Sequence, residues 1–368
     1  MTENPRVVVI GTGLIGTSVA LALRGRGAEV LLSDADEASL AMAVELGAGT
    51  PLSGAPAGPV DIAVLAVPPA AVAGVLQEAQ KEGLARYYTD VASVKARPVM
   101  DAIAHGCDLA SYVPGHPLAG RERSGPAAAR ADLFLGRPWA LCPTQATDPE
   151  ALEAVTGLAR SCGAEVHLVD PVEHDKAVAL VSHGPHVVSA AVAARLERAP
   201  DVALDLAGTG VRDVTRIAAS DPALWVGILT ANAEPVAEVL DAVAADLALA
   251  AAMLRASAGA GPDVADVIMA KVGDLLGRGN AGRARIPGKH GGTPSAYTLV
   301  QVVIPDRPGE LARIFEAAGD AGVNIEDVSI EHSPGLPVGV AELSVRPEAA
   351  QPLAVALRER GWAVPVLP

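Results

Sequence analysis

The chain has 368 residues, half of them hydrophobic but only two Phe, four Tyr and three Trp, and a net charge of −15. That length supports two or three domains with cores of Ala, Val and Leu, and the acidic balance argues against nucleic acid or an anionic membrane as partner. Three cysteines (Cys107, Cys142 and Cys162), without C-x-x-C spacing, suit a reducing cytoplasm and offer no thiolate metal site.

The first block, to about Asp170, alternates short apolar runs with helical patterns, as a parallel α/β sheet does. Strands are predicted at Arg6–Ile10, Glu29–Ser33, Asp61–Val67, Tyr87–Val91 and Val166–Val169, with helices at Thr17–Arg24 and Glu37–Leu46. No signal peptide is expected before the first strand, which agrees with a cytoplasmic protein. The second block, 171–277, reads as all-helical, with Asp221-Pro222 starting one helix. Its most apolar stretch, Val239–Leu254, is interrupted by Asp241 and Asp246, so it predicts an ordinary helix rather than a membrane span. Such Ala-rich helices predict a dimer.

A Gly-, Pro- and Arg-rich linker is expected over 278–296, where Arg283 to His290 concentrates positive charge. The third block, 297–368, starts with a strand at Leu299–Ile304 and the turn Pro305-Asp306-Arg307-Pro308-Gly309. A helix follows, with Leu311, Ile314, Phe315 and Ala318 on one face. Strands at Val323–Glu331 and Val338–Val345, a helix near Glu348–Arg360 and a last strand from Trp362 give a ferredoxin-like β-α-β-β-α-β order.

Gly11-Thr12-Gly13-Leu14-Ile15-Gly16 lies between a predicted strand and helix, the context that makes this fingerprint a dinucleotide site. Gly11 permits the tight turn, Gly13 lets a pyrophosphate approach the N–H groups that lead into Leu14 and Ile15, and Gly16 lets helix and strand pack. Asp34, 18 residues after Gly16, ends the second strand, where a carboxylate bonds ribose hydroxyls and repels a 2′-phosphate. The expected cofactor is therefore NAD rather than NADP. Asp36 reads as a turn residue.

His116, between Gly115 and Pro117, is expected on a loop, where an imidazole beside a nicotinamide is suited to take a proton as a hydride leaves. His183 and His186 lie three apart on one helical face. Metal ligation is not expected there, because no acidic third ligand is evident.

Five segments in order resemble the prephenate/arogenate dehydrogenase family. They are Thr89-Asp90-Val91-Ala92-Ser93-Val94-Lys95, the run from Gly115 to Gly125, Leu133 to Trp139, the pair Glu173-His174-Asp175 with Ser182 to His186, and Arg212 to Trp225. The third block, through Asp306-Arg307-Pro308-Gly309, resembles an ACT regulatory domain. The chain departs from the pattern at Gly184, where a large apolar residue is common, at Val211, where an aromatic is common, and at Arg121.

The resemblance implies oxidation of a cyclohexadienol, with hydride passing to NAD while the ring carboxylate leaves as carbon dioxide. His116 is then the base, and Ser93 bonds the hydroxyl and the imidazole, although Ser93 as a helix N-cap is the competing reading. Arg216 becomes the carboxylate anchor through its guanidinium fork, with Arg212 a structural neighbour. His183 is expected to hydrogen-bond the substrate, Trp225 to pack over it and Glu122 to lie near it. His174 and His186 are read as structural. Asp306, Gly309 and Asn324 are the expected contacts for tyrosine, the end product, held between paired copies. The main alternative is an arogenate or 4-amino-analogue dehydrogenase. Two others are a silent NAD- and amino-acid-binding regulator and a reductase of imines or β-hydroxyacids on the same plan.

Overall fold

The structure is a computed structural model that describes residues 5–54, 58, 60–120, 124–286, 297–332 and 338–365. It forms two compact units, one to Ala244 and one from Ala245, so the helical block expected as a single domain is shared between them.

The first unit opens with β1 (Arg6–Ile10), α1 (Leu14–Arg24), β2 (Glu29–Ser33), α2 (Glu37–Glu45), β3 (Thr50–Pro51), β4 (Val60–Leu65), α3 (Val72–Lys81), β5 (Ala85–Asp90), α4 (Ala96–Ala104) and β6 (Tyr112–Val113). The strands pair in parallel in the order β3-β2-β1-β4-β5-β6, a Rossmann-type sheet whose order reverses between β1 and β4. Val7, Val8 and Val9 are fully buried because helices cover both faces, which is why this strand is a continuous β-branched run.

A second, smaller sheet follows, from β7 (Gly115–Pro117), β8 (Pro138–Leu141), α5 (Pro149–Ser161) and β9 (Glu165–Leu168). β7 is antiparallel to β8, with His116 opposite Ala140, and β8 is parallel to β9. His116 is thus on a strand, not the loop its Gly and Pro neighbours suggest. A three-residue strand paired on one edge tolerates Pro117, which lacks only one N–H.

The helices of this unit continue with α6 (Pro171–Val178), α7 (Gly184–Ala193), α8 (Asp201–Asp205), α9 (Thr209–Thr215), α10 (Pro222–Ala231) and the start of α11 (Ala233–Ser257). One local device recurs: Asp148-Pro149, Asp170-Pro171 and Asp221-Pro222 each start a helix. The Asp side chain accepts from first-turn N–H groups, and proline takes a position needing no donor. A π-turn over Ala179–His183 joins α6 to α7, because Pro185 supplies no N–H to close a normal turn.

The second unit holds the rest of α11 and then α12 (Pro262–Ala284), β10 (Thr298–Pro305), α13 (Glu310–Asp320), β11 (Asp327–His332), β12 (Val338–Val345) and α14 (Pro347–Glu359). α12 runs through the first seven residues of the expected linker, and no residue of it is buried within one chain. The strands form a small antiparallel sheet in the order β10-β12-β11. Among the described residues the expected final strand is represented by a single bridge from Ala363 to Val303. The second strand starts at Asp327 rather than Val323. Ile314 and Ala318 are buried against Leu343, Leu353 and Leu357, but Phe315 is 46 % exposed, at the edge of the face expected to cover it. Among the described residues no helix is long and apolar enough to cross a membrane.

Candidate active site

The Gly-rich turn lies at the carboxyl ends of β1 and β4, the position for a ligand in a doubly wound sheet. Gly11 has φ +101°, and a Cβ there would stand 2.2 Å from the Ala66 carbonyl oxygen. A Cβ on Gly16 would stand 1.9 Å from the Gly11 carbonyl oxygen, so both positions require glycine. At Gly13, by contrast, nothing lies within 4 Å of the Cβ position. It caps α1, whose first N–H groups, those of Leu14 and Ile15 among them, have no partner within the helix. A groove of about 650 Å³ runs from Gly11 and Gly13 past Asp34 to Val67 and Pro68. The Asp34 carboxylate is aimed by the Thr12 N–H (2.5 Å) and hydroxyl (2.8 Å) on Oδ2 and by the Asp36 N–H (2.9 Å) on Oδ1. A bare glycine, a free helix N-terminus and an acid at the rim fit a dinucleotide, with pyrophosphate at Gly13 and ribose at Asp34. Asp36 itself caps α2 through Ala38 and Ser39.

His116 belongs to a histidine cluster at the same edge of the sheet. A Cβ on the adjacent Gly115 would lie 2.9 Å from the carbonyl oxygen of Asp90, the last residue of β5. His116 Nδ1 is 2.9 Å from His174 Nε2, with the rings edge to face at 5.1 Å, and His174 Nδ1 is 2.8 Å from Asp175 Oδ1. Burial holds His116 neutral by pushing its pKa well below 6.5, and the nearby Lys95 ammonium pushes the same way.

His183 is almost fully buried. Asn232 Nδ2 donates to the Asp175 carbonyl (2.8 Å), which fixes the amide's orientation, and its second proton meets His183 Nδ1 at 3.0 Å. The proton of neutral His183 therefore sits on Nε2, making that nitrogen a donor. Desolvation lowers its pKa from 6.5 to about 4, against the opposing charge of Asp175. His186 stacks on Trp225 at 3.5 Å, and Trp225 meets His183 edge to face at 6.1 Å.

A buried ion pair supports the cluster from below. Lys95 and Asp90 are both fully buried and in contact, and Lys95 Nζ also donates to the Gly115 carbonyl at 2.5 Å. Asp90 further accepts from the Tyr112 hydroxyl (2.6 Å) and the Ala92 N–H (2.8 Å). The residue before His116 is thus tied to the strand-end segment that carries Ser93.

Ser93 lies half-buried two residues before the cap of α4, which is Lys95, so the cap reading fails. The N-terminus of α4 is met instead by Asp175, whose carboxylate accepts from Lys95 N (2.7 Å) and Ala96 N (2.8 Å). The hydrogen bond that orients His116 comes from His174, not from Ser93 as expected. Arg216 is exposed on a short 3₁₀ turn packed on α7, and Arg212 is exposed on α9. Glu122 and Arg121 lie outside the described residues. Asp175, Asn232 and Lys95 were given no role from sequence, and His174 was read as structural. His174-Asp175 was visible as a motif, whereas nothing marked Asn232.

In the second unit, Asp306 and Gly309 line a groove of about 330 Å³ with Arg307, Glu310 and Ile330. Asn324 bonds Glu326 at 2.7 Å and does not line that groove within one chain. Among the described residues no cluster suited to a metal ion is present.

Residues 19–168 match the family model "Prephenate dehydrogenase, nucleotide-binding domain", and residues 170–265 match "Prephenate dehydrogenase, dimerization domain". Across 96 % of its length the chain is 42 % identical to a probable prephenate dehydrogenase, NovF, of Streptomyces niveus, covering 98 % of that protein. The chain belongs to the prephenate dehydrogenase family. A prephenate dehydrogenase of Bacillus subtilis is 31 % identical over 64 % of this family member and 66 % of its own length. The prephenate dehydrogenase of Aquifex aeolicus, solved with hydroxyphenyl propionate and NAD+, superposes with a TM-score of 0.65 at 28 % identity, covering 77 % of this chain and 98 % of that one. Synechocystis arogenate dehydrogenase gives 0.61, also at 28 %, over 76 % and 98 %.

Proposed function

We propose that the protein catalyses the NAD-dependent oxidative decarboxylation of prephenate to 4-hydroxyphenylpyruvate. The observation that carries this is a neutral, half-buried imidazole, His116, at the sheet edge that bears the dinucleotide groove, in a member of this family. NAD, when bound, supplies the hydride acceptor. Gly11, Gly13 and the N–H groups at Leu14 and Ile15 would hold its pyrophosphate, and Asp34 its ribose.

His116 Nε2 takes the proton of the ring hydroxyl as the carbinol carbon is oxidised, and returns it to the phenolate oxygen formed as the ring carboxylate leaves as carbon dioxide. No net proton is consumed, and aromatisation drives the step. Ser93 positions the hydroxyl, Arg216 anchors a carboxylate and His183 Nε2–H donates a hydrogen bond to the substrate, with Trp225 packed behind it. Purified protein with NAD and prephenate should produce reduced nicotinamide and carbon dioxide in equal amounts. Turnover with NADP alone, or none with either, would overturn the reading. The resemblance to an arogenate dehydrogenase and to a Zymomonas mobilis cyclohexadienyl dehydrogenase makes arogenate the second substrate to assay, by relative kcat/KM.

We also assign an ACT-type regulatory role to the C-terminal sheet, supported by its βαββα order and by the groove at Asp306 and Gly309, with tyrosine as effector and Asn324 of a neighbouring copy completing the site. Inhibition that is competitive with prephenate and unaffected by Asp306→Ala would place tyrosine at the active site instead. Assembly as a dimer is supported by the family's dimerization domain and by the exposed apolar residues Val264, Val267 and Leu276 on α12. The three cysteines, none in a disulfide, favour the cytoplasm.

A further inference from the structure

We propose that His174 and Asp175 are positioning residues that hold His116 as its Nδ1–H tautomer and so reserve the Nε2 lone pair for the substrate hydroxyl. The inference rests on His116 being the base and adds what makes it one.

One end of this chain of bonds, at Asp175, can act in only one sense. The ionised Asp175 side chain has no proton to give, so the 2.8 Å contact with His174 Nδ1 places a proton on that nitrogen. Asp175 does not need a cation there. Its two oxygens already accept the backbone N–H groups of Lys95 and Ala96, at the N-terminus of α4, where the helix dipole favours a negative charge. For a neutral His174 with its one proton on Nδ1, the remaining ring nitrogen, Nε2, is an acceptor 2.9 Å from His116 Nδ1. Only a proton on His116 Nδ1 completes that bond. Neutral His116 carries one proton, so its Nε2 is left as the acceptor.

The geometry keeps this assignment from drifting. His174 is 3 % exposed, too buried for water to compete for its ring nitrogens, and sits on α6, whose start is fixed by the Asp170 cap. Asp175 also pins α4 to α6, so the segment bearing Ser93 and the support of the base share one anchor. When the hydroxyl proton reaches His116 Nε2, the resulting imidazolium is stabilised through its Nδ1–H bond to His174, which passes the polarisation to Asp175. The proton leaves again to the phenolate oxygen, and the relay returns to its starting state with no proton moved beyond His116.

The test is ¹⁵N NMR of the full chain with labelled histidine at pH 7.5, where His116→Asn assigns the His116 ring signals. The expected result is a protonated Nδ1 and an unprotonated Nε2 on His116. Kinetically, His174→Phe should lower kcat by about 10–100-fold with KM nearly unchanged. His174→Gln, whose side-chain carbonyl accepts from Nδ1, should restore most of that loss, a rescue that a purely structural role would not give. A protonated Nε2 on wild-type His116, or wild-type kcat in His174→Phe, overturns the proposal. If His174→Phe fails to fold, the wild-type spectrum still decides. Full turnover in His116→Asn would refute the base assignment itself, whereas its loss alongside an active His174→Phe would refute only the relay.

Discussion

Replacing Lys95 with methionine should destabilise the protein by more than a surface charge change does, and the structure sets the size. Lys95 and Asp90 are both fully buried, and among the described residues the ammonium bonds the Asp90 carboxylate and the Gly115 carbonyl. Lys95→Met keeps the length of the side chain but leaves Asp90 as a buried anion with the Tyr112 hydroxyl and backbone N–H groups for company. Breaking one side of a buried pair costs about 3–5 kcal/mol. For a unit of this size each kcal/mol lowers Tm by roughly 2–4 °C, so a fall of roughly 6–20 °C is expected by calorimetry or circular dichroism. The double variant Lys95→Met/Asp90→Asn should recover part of the loss, because no lone charge is then buried. Losing a cation near His116 should also raise that imidazole's pKa, moving the acid limb of kcat/KM to higher pH. An unchanged Tm in Lys95→Met, or a double variant as unstable as the sum of the two single ones, would refute the reasoning.

Asp34→Ser should shift preference toward NADP, measured as the ratio of kcat/KM for the two cofactors, because it removes both a ribose acceptor and a repulsion of 2′-phosphate. An unchanged ratio would remove Asp34 from cofactor selection. Arg216→Ala should raise KM for prephenate by an amount equal to roughly 2–4 kcal/mol while kcat changes little, and an unaltered KM would move the anchor to Arg212 or Arg121. His183 has a folded pKa depressed from 6.5 to about 4, so its contribution to stability is full above pH 6.5 and is lost as pH falls toward 4, about 3 kcal/mol in all. His183→Asn should flatten that part of the stability–pH curve, and an equally steep curve in the variant would exclude His183 as its source. At Gly184 a Cβ would meet Val239 Cγ1 at 2.7 Å and the Ala179 carbonyl at 2.9 Å, so Gly184→Leu should cost about 1–3 kcal/mol or more by urea unfolding, with partial recovery on adding Val239→Ala.

The sequence alone determined those features whose cause is local. The Gly11–Gly16 turn was legible because a positive φ and a contact too close for a Cβ each demand glycine whatever surrounds them. The Asp221-Pro222 helix start was legible because cap and first turn lie within three residues of each other. The ladder of Val and Leu strands followed from a sheet covered on both faces. Tertiary packing decided the rest. Phe315 has the right helical spacing for the core, yet which residues a helix buries at its margin depends on the width of the surface it meets. Among the described residues the last strand is one bridge to the edge strand β10, a pairing that no local pattern in the sequence fixes. His174 looked like an ordinary helix-start histidine, since its partner His116 lies 58 residues away and the carboxylate of Asp175 reaches back 80 residues to Lys95. An imidazole can be acceptor, donor or cation. Only the groups that packing places around its two nitrogens decide which, and no local pattern of residues encodes that choice.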